Sequence, residues 1–332
     1  MSKPRATFKQ QPADFRVAEQ IDFPLTGHGE HLWCYVEKIG LNTAWLKREW
    51  ARLTGCAQKD IAHSGLKDRH AITRQWLSLP AKYSAQLPDS GDGWRILERQ
   101  LNERKLRVGA HRHNAFAIVL RDIDTDPASI ETALATLARD GFPNYFGEQR
   151  FGHTNRDKAQ RWVERGQLPK KHDERAQVLS TLRADAYNGQ LDARLAAGTQ
   201  QTPQPGDRAM LAGSNSHFTI EAVDDALLTR LTSGDIALGG WLPGKEKAPL
   251  PPAVIAWLAH ADAAQQAAVR YLKKYADSGW RAFTVRPGEL QYQWQDAHTL
   301  HLAFTLPRGS YATALLASVF TLHDASRDSE QL

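Results

Sequence analysis

Alternating apolar and polar positions predict strands at Phe15 to Ile21 and His31 to Ile39, and the same alternation returns near the other end of the chain at Leu300, Leu302 and Phe304. Between these ends, from about Leu168 to Val285, the chain turns Gln- and Ala-rich. That stretch carries turn clusters at Thr202-Pro-Gln-Pro-Gly-Asp and Pro243-Gly, then a helical run from about Ala253 to Ala276. A sheet pattern interrupted by a region of different character predicts one discontinuous domain, residues 1–167 plus 286–332, with 168–285 inserted as a second domain. Length agrees: 332 residues exceed the usual single-core size of about 100–200 residues, so two cores are expected.

Within the first part, Asn42 or Thr43 is placed to cap a helix with Leu46, Trp50 and Leu53 on one face and Gly55 as its left-handed stop. Asp126, Pro127, Ile130, Leu134 and Leu137, with Gly141 and Pro143 as stops, predict a second helix by the same grammar. Short β-like runs lie between them at Ile61 to Ser64, Ile72 to Leu79, Trp94 to Glu98 and Ala115 to Arg121. On the His31 to Ile39 strand, Leu32, Cys34 and Val36 oppose His31, Trp33 and Tyr35, and one of these faces is expected to be core. A final apolar helix, with Ser310 as its cap, is expected to run through Phe320. The class is α+β, a largely antiparallel sheet with helices on one face.

Several function classes fall away. The longest run without a charged side chain, Gly309 to His323, is broken by Gly, Ser, Thr and His, whereas a membrane helix needs roughly 18–20 mostly apolar residues. The basic N-terminus lacks the apolar core of a secretory signal, so a cytoplasmic protein is expected, without a membrane partner or an evident obligate protein partner. Two cysteines, Cys34 and Cys56, supply neither a disulfide scaffold nor a thiolate zinc site; of His28, His31 and Cys34, a strand places His31 and Cys34 on opposite faces, and no fourth ligand is evident. Gly239-Gly-Trp-Leu-Pro-Gly244-Lys245 has phosphate-loop spacing, but Glu246 stands where a hydroxyl should reach magnesium and Pro243 disturbs the backbone. No dinucleotide fingerprint and no nucleophile elbow occur. Neither cofactor nor metal is expected, and covalent chemistry is left to a carboxylate.

Net charge is +5, and its distribution says more than its sum. Between Glu103 and Asp122 there is no acidic residue, while Arg104, Lys105, Arg107, Arg112 and Arg121 gather there, a stripe suited to a polyanion. Two segments could carry chemistry. Gly65-Leu-Lys-Asp68-Arg-His-Ala71 encloses one carboxylate among potential cations, which favour its ionised form and suit it to act as nucleophile or base; a charged hairpin turn is the plainer reading. Asn144-Tyr-Phe-Gly-Glu-Gln-Arg150-Phe-Gly152 packs three aromatics beside amide and guanidinium groups after a helix stop. Such a set can stack on an unpaired base and read its edge, or form a buried aromatic loop with Arg150 in an ion pair.

The chain resembles the tRNA pseudouridine synthase D family. The residues that carry the resemblance are Lys9 with Pro12-Ala-Asp-Phe15, Gly27 to Glu37 continuing to Gly40-Leu-Asn-Thr43, Gly65 to Ala71, Arg104 to Gly109, Pro143 to Gly152 and Leu306-Pro-Arg-Gly-Ser-Tyr-Ala-Thr313. The middle region is similar by position and length. The resemblance implies a pseudouridine synthase fold, a mixed, largely antiparallel sheet with a central cleft, interrupted by an inserted α/β domain. It also implies conversion of uridine to pseudouridine in tRNA, at position 13 in bacterial members. Asp68 matches the catalytic aspartate and Lys9 a catalytic lysine beside it; Phe15, Asn144 and Phe146 match contacts to the target nucleotide. At the last contact Tyr311 stands where the family pattern has Phe, which keeps the ring and adds a hydroxyl. The stripe of Arg104, Lys105, Arg107 and Arg112 would meet phosphates. Two rivals use overlapping features: a carboxylate-dependent nucleoside or glycoside hydrolase, which needs a second carboxylate, and a non-catalytic RNA-binding protein in which Asp68 is dispensable.

Overall fold

The computed structural model describes residues 3–152 and 154–328; of Gln149 in the aromatic segment only the backbone is described. The chain divides into two compact units. The first is Met1–Ala138, Pro287–Gly309 and Val319–Leu332, and the second is Arg139–Arg286 with Ser310–Ser318. The second unit thus opens at Arg139, ahead of the change in composition at 168.

The first unit is built on a nine-stranded sheet. From one edge its order is Gly288–Asp296, Thr299–Pro307, His113–Leu120, Phe15–Gln20, Ile72–Pro80, His31–Ile39, Trp94–Asn102 and Ser90–Gly91, with Ala62–His63 also paired to Ile72–Pro80. Every pairing is antiparallel except Phe15–Gln20 with Ile72–Pro80, where Arg16 lies opposite Ile72. Strands from both ends of the chain therefore share one sheet, as the returning alternation predicts. A separate parallel pair joins Arg5–Phe8 to Thr321–Asp324.

The helix Thr43–Thr54 forms as its caps require. The Asn42 side chain accepts from the Trp45 N–H at 2.8 Å, and Gly55 closes the helix at φ 72°. Its Leu46 and Trp50 pack on Leu32, Cys34 and Val36. On the opposite face of the His31–Ile39 strand Trp33 is buried too, packed with Trp76 and Leu106. With Leu106 of the 103–112 segment packed over Trp33, that face stays open to solvent only in part, at half-buried His31 and Tyr35 and exposed Ile39. The helix Pro127–Asp140 buries Ile130, Leu134 and Leu137 as predicted.

In the second unit the helix His172–Ala196 sets Tyr187 and Leu191 against Ala209, Ile236, Leu238 and Phe283. These belong to or adjoin a four-stranded antiparallel sheet of order His217–Thr219, Arg208–Leu211, Ile236–Leu242, Gly279–Ala282. Gly240 lies on a strand, where a β-carbon would meet Phe283 Cε1 at 2.5 Å and Tyr187 Cε2 at 2.6 Å; its glycine serves packing. The helical run expected at 253–276 is two helices, Pro252–His260 and Ala263–Tyr275. Asp262 divides them: its carboxylate accepts from Gln265 N–H while the Gln265 side chain accepts from Asp262 N–H. Among the described residues the last α-helix is Ala312–Val319, and its first backbone bonds go to the Tyr311 carbonyl, not to Ser310. Among the described residues no helix is long and apolar enough to cross a membrane, and no cluster of three His, Cys, Asp or Glu side chains is placed to hold a metal.

Candidate active site

The single parallel pairing of the first unit's sheet brings Lys9, Phe15 and Asp68 together. Because Arg16 lies opposite Ile72, the loop that ends at Ala71 reaches the sheet beside the start of the Phe15–Gln20 strand. The turn Pro12–Asp14 leads into that strand and is fixed by buried Asp14, which accepts from Arg121 Nη2 at 2.7 Å and from the Gln11 N–H at 3.2 Å. Ahead of the turn, Lys9 adopts φ 59°, a left-handed backbone that costs a non-glycine residue on the order of 1 kcal/mol and recurs at functional sites. That conformation accompanies a buried ammonium: Lys9 is 5% exposed, its Nζ lies 2.5 Å from Asp68 Oδ2 and 4.8 Å from the centre of the Phe15 ring. Phe15 itself is buried, packed on Phe8 and Phe116.

Opposing forces act on the Asp68 carboxyl. Burial favours its neutral form, but the charge and hydrogen bond of Lys9 outweigh that, aided by the N–H groups of Arg69 and His70, and hold its pKa below the ordinary value. Asp68 is thus kept ionised, the form a nucleophile or base requires.

Beneath the loop lies a layer of buried polar groups that sequence reasoning missed. Lys38, fully buried, donates to the carbonyls of Asp68, at 2.9 Å, and Leu41; burial pushes its pKa down to about 8. Lys67 Nζ pairs with buried Glu19 at 2.7 Å, and Glu19 Oε2 accepts from the Trp76 N–H. Desolvation raises the Glu19 pKa against the pull of Lys67. Thr43 Oγ1 accepts from the Lys67 N–H and donates to Gln75 Oε1. Ser64 Oγ lies 2.6 Å from His111 Nδ1, and burial with the nearby Lys67 charge lowers His111 to about 4, so the ring is neutral at pH 7. At Gly65 a β-carbon would stand 2.9 Å from Glu19 Oε1, so a side chain there would have to displace the Glu19 carboxylate. One signal was present in the sequence, since Glu19 and Lys38 sit inside strand patterns where charge is unusual.

The second unit holds the other candidates. Asn144 is buried; its N–H donates to Phe283 O, its Nδ2 donates to Ala282 O at 2.9 Å, and its Oδ1 accepts from Arg281 Nη2 at 2.7 Å. Asn188 grips Phe146 by its backbone, accepting from the N–H and donating to the carbonyl, both at 3.0 Å. The half-buried Phe146 ring meets Tyr187 edge-on at 5.3 Å and Tyr311 at 6.3 Å, with the Arg281 guanidinium 4.1 Å from its centre. Arg150 is 5.7 Å from the same ring, and its Nε is buried without a hydrogen-bond partner among the described residues. Arg281 and Asn188 are further residues that sequence reasoning did not single out.

The basic stripe of the first unit is exposed at Arg104, Lys105, Arg107 and Arg112. Its backbone is anchored by buried Leu106 and by the Arg104 carbonyl, which accepts from Trp33 Nε1. Arg112 faces Asp22 at 3.2 Å and Lys105 faces Asp60 at 3.7 Å, both at the surface, where such pairs add little stability.

Comparison with known proteins places the chain in a family. The family model described as "tRNA pseudouridine synthase D (TruD)" matches residues 4–160 and 178–319. The tRNA pseudouridine synthase D of Pseudomonas syringae pv. syringae is 37% identical over 325 residues, covering 96% of this chain and 92% of that protein. That of Ectopseudomonas mendocina is 38% identical, covering 97% and 93%. A crystal structure from Methanosarcina mazei described under the same family name superposes with a TM-score of 0.69 at 19% identity, over 98% of this chain and 95% of that one, so the fold is shared. With its mixed sheet assembled from both ends of the sequence, the chain belongs to the tRNA pseudouridine synthase D family.

Proposed function

We propose that this protein isomerises uridine to pseudouridine in tRNA, with the nucleotide at position 13 as target and Asp68 as the group that starts the reaction. The observation that carries the reading is the Lys9–Asp68 pair, a half-buried carboxylate held ionised by a buried ammonium over an aromatic ring. Isomerisation breaks the N1–C1′ bond, turns the uracil and joins C5 to C1′; the C5 proton leaves and N1 ends protonated. The exchange is redox-neutral and adds no external group, so it calls for no redox or group-transfer cofactor. Attack on C1′ and removal of a sugar proton both begin from the ionised carboxylate. Lys9 holds Asp68 in that form, and the Phe15 ring lies under the Lys9 ammonium.

Phe146 and Tyr311 are assigned to the faces of the uracil. Asn144, whose amide keeps one N–H beyond its bond to Ala282, is assigned to the uracil's edge. Arg104, Lys105, Arg107 and Arg112 are assigned to phosphates, residues 168–285 to an inserted domain, and the protein to the cytoplasm.

The test is to incubate purified protein with unmodified tRNA, without added metal or nucleotide, and map pseudouridine. Pseudouridine at position 13 is the expected product. Release of free uracil would instead make the protein a hydrolase, and tight binding with no change in the RNA would make it a binding protein.

A further inference from the structure

Among the described residues, Leu66 and Val108 are the most exposed large apolar side chains, at 75% and 76%; the next, Ile255, is 56% exposed. They stand on two neighbouring loops of the first unit, joined where the Gly109 N–H donates to the Ser64 carbonyl at 2.6 Å and the His111 N–H to Ser64 Oγ at 2.8 Å. Both loops are pinned from below. Leu106 is buried against Trp33 and Trp76, and Lys67 is tied to Glu19 through its ammonium and to Thr43 through its backbone. Two apolar tips on a rigid base, outside any core, await a partner. Exposed Arg69, Arg104, Lys105 and Arg107 share the two loops, so that partner is a polyanion with an apolar interior. Stacked nucleic-acid bases between phosphate backbones fit that description.

Leu66 is two residues from Asp68. If Asp68 acts on a nucleotide, as proposed above, that nucleotide must leave its stack and a gap opens beside the loop that carries Leu66. We infer that Leu66 and Val108 form an apolar wedge that enters the RNA base stack at the gap left by the extruded uridine. The wedge lowers the cost of unstacking without touching the reacting atoms. Its effect falls on extrusion, while the cations around it set the affinity. The inference rests on the proposed activity and adds the residues that drive the nucleotide out.

The test uses full-length protein and a tRNA transcript with 2-aminopurine next to position 13, whose fluorescence rises when its stacking partner departs. The substitutions Leu66→Ser and Val108→Ser are made together, and Leu66→Met alone; both side chains are exposed, so the thermal midpoint should stay unchanged. The double variant is expected to lose most of the fluorescence rise and at least about tenfold in single-turnover rate at saturating protein, with the salt dependence of binding unchanged. Leu66→Met, which keeps the apolar bulk, should stay close to wild type. A double variant with wild-type fluorescence and rate would overturn the wedge, and so would one that lost only affinity. Wild-type protein that formed no pseudouridine would sink the proposed activity itself, a failure seen before any variant is made.

Discussion

The two units hold their candidate side chains by opposite means. In the first, the candidate group is a charge, and its supports are charges and backbone dipoles: Lys9 on the carboxylate, Lys38 on the Asp68 carbonyl, Lys67 against Glu19 below. In the second, the candidate group is the Phe146 ring, gripped through its backbone by the neutral amide of Asn188 and covered on one side by Arg281. A half-buried carboxylate stays ionised only if opposite charge outweighs desolvation, whereas a ring needs only to be held in position. Charge changes should therefore act on the chemical step in the first unit, and ring changes on the stacking of substrate in the second.

The largest effect expected to sharpen this contrast comes from Lys9→Met. Asp68 has a depressed pKa, so its ionised form is present above the ordinary carboxylate range and is lost only as pH falls through the lower, folded-state value. Without Lys9, burial acts unopposed by its main counterweight and that loss moves to higher pH. Turnover at neutral pH should fall by about a hundredfold, within the range of general acid–base effects, and the acid limb of the pH–rate profile should shift upward. A limb that stays in place would show that Lys9 does not set the charge of Asp68.

Phe146→Ala comes next. If the ring stacks on uracil, the single-turnover rate should drop by the equivalent of about 1–3 kcal/mol. A core ring would instead take roughly 3–5 kcal/mol from folding stability and leave the activity of folded molecules intact. Thermal midpoint and rate, measured on the same sample, separate the two.

A smaller effect is expected on the stripe. Changing Arg104, Lys105 and Arg107 together to Gln should weaken binding to all tRNAs alike and reduce the slope of log affinity against log salt by up to about three, one for each phosphate contact. An unchanged slope would remove these residues from the interface. Least of all, Tyr311→Phe keeps the ring and should leave the rate nearly normal; a loss above tenfold, about 1.4 kcal/mol, would mean the hydroxyl carries a necessary hydrogen bond.

Local signals survived the passage from sequence to structure. The helix between Asn42 and Gly55 is legible because cap, apolar face and stop lie within one short stretch, and the loop carrying Asp68 is legible because its charges adjoin the carboxylate in sequence. What was missed depends on strands distant in the chain. Glu19, Lys38 and His111 occupy strands or their approaches, where alternation would assign a charge to solvent, and only the pairing of Phe15–Gln20 with Ile72–Pro80 places Glu19 under the loop. Arg281 and Asn188 meet Asn144 and Phe146 across more than forty residues of chain, so neither pairing leaves a local trace. The break at Asp262 differs, since the Asp262 and Gln265 capping box was already present in the sequence but was overridden by the apolar run around it.

Whether the ionised Asp68 carboxylate starts the reaction while other groups bind the RNA is decided by Asp68→Asn. Its amide keeps the size of the side chain but cannot serve as an anionic nucleophile or base, so the loss belongs to the chemical step. Single-turnover pseudouridine formation and tRNA affinity would be measured side by side. If Asp68 starts the reaction, the variant forms no detectable product at near-normal affinity. Turnover within about tenfold of wild type, only about 1.4 kcal/mol of barrier, would contradict it.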